Sequence, residues 1–332
     1  MPEPAVAAPA ARFQSIPGQI LRNSVFLGFH SVLLLPIWVG WSWQALALCA
    51  ATYMARIFII TGAYHRYFSH KSYKTSRPFQ FFLGLCGVLC VQKGPLWWAA
   101  HHRHHHAESD QLDDVHSPRH RGFWYAHMWW ITSGYNDHTR WDKIPDLARY
   151  PELRWLNSYH LVPGIVAVAL MWYFLGAQLT VWGALISTVI LWHGTFTINS
   201  FTHIVGKRVY ATTDDSRNSM ILALITFGEG WHNNHHYYQS SAHQGFHWWQ
   251  IDITWYILCA LEKVGLIWGV KRAPQSVVEG YMGKHDYLIE RRGDVPVIVH
   301  EKKPASASAS APAPAPEPVA VEATIDEPAL VA

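Results

Sequence analysis

Four apolar stretches, arranged as two close pairs, constrain this chain more than any other feature. VFLGFHSVLLLPIWVG (25–40) is followed within a few residues by QALALCAATYMARIFIITGAY (44–64), and LVPGIVAVALMWYFLG (161–176) by TVWGALISTVILWHGTFTI (180–198). Each member approaches the roughly 20 apolar residues a helix needs to cross a bilayer. Joined by so few residues, the two members of a pair must run antiparallel. Two such hairpins make four spans and return every long connection to one side of the membrane. Only 15% of the residues are charged, against roughly 25% in a soluble domain, which agrees with a membrane protein.

Charge placement orients the spans. The tight turns VGWSWQ and LGAQLT carry no Lys or Arg, whereas the opposite ends carry Arg22, Arg66, Lys71, Lys74, Arg77, Lys207 and Arg208. The positive-inside rule therefore places the termini and the long loops in the cytoplasm. Arg56 falls inside the second span, where a charge must face protein or water. The stretch 77–100 is apolar but interrupted by Gln92, Lys93, Gly94 and Pro95, so it reads as a buried or interfacial helix and not a fifth span. Residues 1–20, without the cationic and apolar runs of a secretory signal, and the Ala/Pro/Ser tail 304–332 read as disordered. The expected layout is a single unit over 21–272, with a cap from 65–160 and 199–272, then a polar extension over 273–303. Net charge near +3 implies no nucleic-acid partner. Cys49, Cys86, Cys90 and Cys259 lack metal-ligand spacing and read as buried free thiols.

The chain holds 22 histidines, and three groups of them stand apart from the rest. HRYFSH places His65 and His70 directly after the second span. HHRHHH contains His102, His105 and His106 as HxxHH, and HNNHH repeats that pattern with His232, His235 and His236. Positions i, i+3 and i+4 lie on one helical face, so each HxxHH aims three imidazoles at one point. His65 and His70, five apart, cannot share a face of a continuous α-helix, so one must come from a helix end or a bent segment. NSFTH adds Asn199 and His203 after the last span. His30, His116, His127, His138, His160, His193, His243, His247, His285 and His300 read as ordinary hydrogen-bonded residues, and His101 and His104 as neighbours on other helical faces.

So many imidazoles on one side of the membrane call for metal, and for two ions. Nitrogen ligands suit iron, zinc, copper or nickel. Zinc has no redox chemistry, whereas substrates arriving from a bilayer are alkyl chains whose C–H bonds need an oxidant. That setting favours iron and O2. Glu108, Asp110, Asp113, Asp114 and Glu229 stand near the clusters, where a carboxylate accepting a ligand's distal N–H would fix its tautomer.

HRYFSH, HHRHHH, NSFTH and GEGWHNNHH, in this order and with paired spans, resemble the membrane-bound fatty-acyl desaturases of the stearoyl-CoA desaturase type over residues 20 to 272. The resemblance implies an all-α fold, with four spans beneath a cytosolic helical cap that holds a non-haem di-iron centre. It implies O2, two external electrons and a cis double bond at C9–C10 of a saturated chain. The implied ligands are His65, His70, His102, His105, His106, His203, His232, His235 and His236, with Asn199 acting through a water. The implied substrate tunnel bends at Gln92, Trp98 and Thr195 and closes near Tyr53, a geometry that works by positioning.

Where animal enzymes carry an Arg-Asp pair before the second box, this chain reads Ala100-His101 and is more similar to the bacterial branch, in the inner membrane. Coenzyme A, acyl carrier protein and phospholipid thus remain open as carriers of the long acyl chain. The segment after Val270 is too short and polar for a fused haem or flavin domain, so a separate donor, ferredoxin or cytochrome with its reductase, is expected. Two rival readings exist: a di-iron alkane or fatty-acid hydroxylase, and a metal-binding or transporting membrane protein, for which His30 and His193 are the in-span candidates.

Overall fold

The computed structural model describes residues 16–280, 287–292 and 295–300. The expected disorder at 1–20 and 304–332 falls mostly outside them, although a helix already begins at Ile16. Helix α1 (Ile16–Phe29) continues through a 3₁₀ turn (His30–Leu34) and a short helix (Pro36–Val39). After Gly40, whose φ of 68° breaks the helix, α2 (Trp43–Phe58) starts with the Ser42 hydroxyl capping Ala45 N. It winds without interruption into a π-helix, Ile59–Ser69.

Among the described residues three helices are long and apolar enough to cross a membrane: Gly18–Val39, Trp43–Ser69 and Val162–His203. The sequence predicts two members in the last region. It contains α5 (Val162–Thr180), a π-helical turn (Val181–Ile186) and α6 (Ser187–Ser200). Gly176 at φ 77°, ψ 177° breaks α5 near its end. Beyond it the chain folds back, and Gly183 lies against Met171 of the first arm and Leu48 of α2. The two hairpin tips are tied together. Ser42 Oγ donates to Gln178 Oε1 (2.8 Å), Gln178 Nε2 to the Val39 carbonyl (2.8 Å), and Trp182 Nε1 to the Gly40 carbonyl (3.0 Å).

The outward faces of these helices are apolar, with Trp38 at 72% and Tyr173 at 81% exposure. Exposed apolar surface on this scale marks a membrane-facing belt, with aromatic residues near the tips. Arg56 is satisfied from α6 and its own helix: it donates to Thr188 Oγ1 (2.6 Å), to the Ser187 hydroxyl and to the Thr52 carbonyl. Arg66 is not an interfacial charge as the orientation argument assumes. It is fully buried beneath the site.

The stretch 77–100 is largely buried, as one of the two expected alternatives has it, but it divides into two helices where a single one is expected. Helix α3 (Arg77–Val88) is capped by Ser76. A loop follows in which Val91 and Lys93 take positive φ (54° and 66°). Helix α4 (Pro95–Glu108) then starts with proline in its first turn and carries the second histidine box. Beneath the site, Ile57, Tyr64, Phe68, Leu96, Leu153 and Leu156 form the main core. Helix α7 (His232–Tyr237) carries the third box, and α8 (Ile253–Lys263) follows it. The fold is mostly helical but not wholly so. Strand β1 (Lys74–Thr75) pairs antiparallel with β2 (Ile267–Trp268), and β3 (Tyr287–Arg292) with β4 (Val295–His300), inside the segment read as a polar extension. Among the described residues the four cysteines are free thiols.

Candidate metal centre

The π-helix explains the first box. Its hydrogen bonds run from i+5 to i, and His70 N indeed donates to the His65 carbonyl (3.2 Å). Residues five apart therefore share a face, and His70 stands at the helix end, as the C-cap residue of Ile59–Ser69, where the sequence places one of the pair. Helices α4 and α7 supply the second and third boxes, and a 3₁₀ turn after α6 (Phe201–His203) supplies His203.

All nine predicted histidines come together, in two sets. His65, His70, His102, His106 and His235 form the first; His105, His203, His232 and His236 form the second. Within each set the ligand nitrogens lie within 4.8 Å of one another. The expectation that each HxxHH converges on one point is corrected. The i, i+4 pairs (His102 and His106; His232 and His236) stay together, and the i+3 residue, rotated about 100° from its i+4 neighbour, faces the other set. Nε2 atoms meet directly: His65 and His235 at 3.0 Å, His70 and His102 at 2.8 Å, His106 and His235 at 3.0 Å, His203 and His232 at 3.1 Å.

The opposite edges of four rings are held by buried carboxylates. His65 Nδ1 lies 2.6 Å from Glu229, His105 Nδ1 2.8 Å from Asp114, His203 Nδ1 2.8 Å from Asp110, and His236 Nδ1 2.5 Å from Asp214. Each ring thus donates from Nδ1 and turns the Nε2 lone pair inward. Asp110 also accepts from Ser117 Oγ (2.6 Å) and Asp215 N (2.8 Å), and Asp114 from the backbone N of Asp110 and His116. Asp110 itself takes φ 55°, a conformation aspartate tolerates, and this folds both carboxylates toward the rings. Burial pushes Asp110, Asp114 and Asp214 up, but their histidine partners and hydrogen bonds hold all three below the usual carboxylate range. Glu229 behaves likewise beside His65 and Arg66. Burial, reinforced by neighbouring imidazoles, holds His70, His102, His106, His232 and His235 well below the ordinary imidazole range, so they are neutral.

A second tier supports this one. Arg66 donates to Glu229 (3.1 Å) and to both oxygens of Asp252 (3.0 Å each), and Gln244 Nε2 donates to Glu229 (3.0 Å). Arg103, inside the second box, donates to the carbonyls of Phe68 (2.7 Å) and Ser69 (2.9 Å) and pairs with Asp146. It thereby ties α4 to the end of the π-helix.

Asn199 belongs to neither set. It borders a cavity of about 20 Å³ together with Gln92, Trp98, Thr195 and His102. Gln92 Nε2 donates to Thr195 Oγ1 (3.0 Å), and Trp98 stacks on His102 with ring centroids 4.9 Å apart. Tyr53 does not line that cavity; its hydroxyl donates to the Ile225 carbonyl (2.8 Å). His101 and His104 stay outside both sets, bonded to the Trp97 and Asp113 carbonyls. The carboxylates of Glu108 and Asp113 pair with none of the nine histidines among the described contacts. His116, read as an ordinary histidine, lies beside the second set. It stands within 4.8 Å of ligand atoms of His105 and Asp114. His30, His193 and His127 also meet, in a chain running from the Phe26 carbonyl to Ser200 Oγ through contacts of 2.8–3.1 Å. All six of their ring nitrogens are used in that chain, which leaves none converging on an ion. Asp214 was not foreseen, because a DD pair in a polar loop carries no periodic signal.

The donor set fits metal on one direct observation. The Nε2 atoms of His105 and His236 are buried and have no hydrogen-bond partner, a cost that a cation ligand removes.

Comparison with known proteins follows the same lines. The family model described as "Fatty acid desaturase" matches residues 41–267. The chain is 38% identical over 260 residues to the sn-2 palmitoyl-lipid 9-desaturase of Nostoc sp. (strain 36), covering 76% of this chain and 90% of that protein. It is 38% identical over 240 residues to Delta-9 acyl-lipid desaturase 1 of Arabidopsis thaliana (71% and 78%). It is 37% identical over 256 residues to the sn-1 stearoyl-lipid 9-desaturase of Anabaena variabilis (76% and 93%).

Proposed function

Because this chain belongs to the fatty acid desaturase family and is a membrane fatty-acyl desaturase, an oxidoreductase, we propose that it makes a cis C9–C10 double bond in a lipid-linked acyl chain, using a di-iron centre held by the nine histidines. The observation that carries this reading is their division into two sets with carboxylate-fixed tautomers. Five ligands in one set exceed the four of tetrahedral zinc. Nε2 atoms 2.8–3.1 Å apart are spaced like ligands about 90° apart on bonds of roughly 2.1 Å, which suits iron of higher coordination number. Bound iron supplies the redox chemistry by which O2 and two electrons, delivered by a separate ferredoxin- or cytochrome-type donor, remove two hydrogens from the chain.

The protein's own part is positioning and exclusion. Asp110, Asp114, Asp214 and Glu229 hold the rings in one tautomer. Asn199 acts through a water, for which a cavity of about 20 Å³ is large enough. Gln92, Trp98 and Thr195 bend the acyl chain beside His102, with Tyr53 near its far end; this requires the cavity to open around substrate. The fold-back at Gly176 makes four spans of the three long helices, with the cap on the cytoplasmic face of a bacterial inner membrane. Expression in a host lacking its own desaturase, followed by gas chromatography with the double bond located, tests the reading. Monoenes unsaturated at C9 are expected; hydroxylated chains would favour the hydroxylase alternative.

A further inference from the structure

This inference rests on the desaturase reading and concerns the form in which the acyl chain arrives. A second cavity of about 1000 Å³ lies among α1, α2, α5 and α6, at the top of the roughly 300–1,000 Å³ range of small-molecule pockets. Its wall is largely apolar, with Phe29, Ala167, Val168, Met171 and Leu185 along it. On the second arm it runs from Gly183 to Phe196. Those thirteen steps span about 20 Å, two-thirds of a hydrocarbon layer of about 30 Å. Arg22, Lys93, Thr132 and His160 also line it. The charged residues in its wall, Arg22, Arg56 and Lys93, are all cations. The Arg56 guanidinium is taken up by hydroxyls, whereas Arg22 donates, among the described residues, to the Thr132 carbonyl (3.0 Å) and Gln19 Oε1 (3.1 Å). Lys93 pairs with Asp137 at 2.8 Å.

One wall divides this crevice from the cavity beside the histidines. Val91 and Lys93 line the crevice, Gln92 between them lines the reactive cavity, and Phe196 borders both. The divider is held from both sides. Trp192 Nε1 donates to the Val91 carbonyl (3.0 Å), Tyr64 to the Lys93 carbonyl (3.2 Å), and Gln92 to Thr195 (3.0 Å). Val91 and Lys93 take positive φ, costly for such residues, in a segment whose alternate residues face opposite sides.

We propose that the crevice holds the unreacted chain of a diacyl glycerophospholipid whose other chain is presented to the histidines, the two chains straddling residues 91–93 with the phosphate at Arg22 and Lys93. A single-chain thioester would leave the crevice's apolar volume unused, and the all-cationic charged lining matches a phosphate.

The test uses the full-length, iron-loaded protein, supplied with O2, reduced ferredoxin and its reductase, in phosphatidylcholine nanodiscs doped with phosphatidylcholine carrying a diazirine on one chain. Mass spectrometry of the photolysed protein should find label on crevice residues such as Val168 and Leu185 above the level on the outward Tyr173 and Phe174. Ala167→Trp, which fills the crevice, should cut the crevice label about tenfold while the outward label persists. It should also lower the conversion of diacyl- relative to lysophosphatidylcholine about tenfold. Val168→Phe repeats the measurement if the tryptophan variant does not fold. Label no richer in the crevice than on the outward face, or a substrate ratio unmoved by filling, overturns the proposal. Crevice label that is lost on filling, in a wild type that makes no monoene from either lipid, would keep the lipid site and discard the desaturase reading.

Discussion

Asp214→Asn keeps the shape of the side chain and removes its charge, and so isolates what the carboxylate does for His236. The contact is short (2.5 Å) and both side chains are at most 5% exposed. A charge-assisted hydrogen bond of this kind is roughly twice as strong as a neutral one. Loss of such an outer partner typically costs 10–100-fold in metal affinity, about 1.4–2.8 kcal/mol at 1.4 kcal/mol per decade. Burial and the short distance place the expected loss in the upper half of that range. Asp214 also accepts from Ser216 N (3.0 Å) through its other oxygen, a bond the amide can retain, so the loop should keep its course. The assay is competition for iron between purified protein and a graded series of chelators, with Asp113→Asn, an exposed carboxylate of the acidic loop, as control. Thermal melting of the chelator-stripped proteins separates a folding defect from weaker binding. Iron affinity within twofold of wild type, with unchanged apo stability, would refute the claim that this carboxylate tunes a ligand.

His105→Ala should lower bound iron from two ions per chain toward one, counted by elemental analysis, and abolish product; two retained ions would remove His105 from the second set. Arg66→Met removes the arginine from the buried Glu229 and Asp252 carboxylates, and a loss of about 3–5 kcal/mol is expected, visible as a large fall in melting temperature; an unchanged melt would contradict the pairing. Burial raises Asp146, but hydrogen bonds from Arg103 and Lys71 bring it down to about 2. Because the folded value lies below the ordinary carboxylate value of about 4, its stabilisation is present above pH 4 and is lost as pH falls toward 2. The melting-temperature gap between wild type and Asp146→Asn should therefore be full at pH 6 and narrower at pH 3; a gap that widens on acidification would contradict this sign. Tyr53→Ala should admit longer acyl chains, read from the product profile, if the tunnel ends there.

Much of this architecture is visible in the sequence, because hydropathy and histidine spacing are local signals. The four apolar stretches and every one of the nine converging histidines can be picked out by eye. What eludes the sequence depends on backbone geometry or distant partners. The π-winding of 59–69 has no composition signature, yet together with the C-cap at His70 it brings His65 and His70 to one face. The division of each HxxHH between two sets needs the relative rotation of α4 and α7. Asp214 reaches His236 across 22 residues of chain, and the positive φ of Val91 belongs to a residue that normally refuses it.

The ligand sets also carry a timetable. The first draws four of its five members from residues 65 to 106 and the last from His235, whereas the second has only His105 and His203 before α7 supplies two more. Neither can close until the final box has left the ribosome, after the apolar helices found among the described residues. On the di-iron reading, cofactor loading must await α7, and a chain truncated before residue 232 would carry a partly formed first pocket and barely a trace of the second.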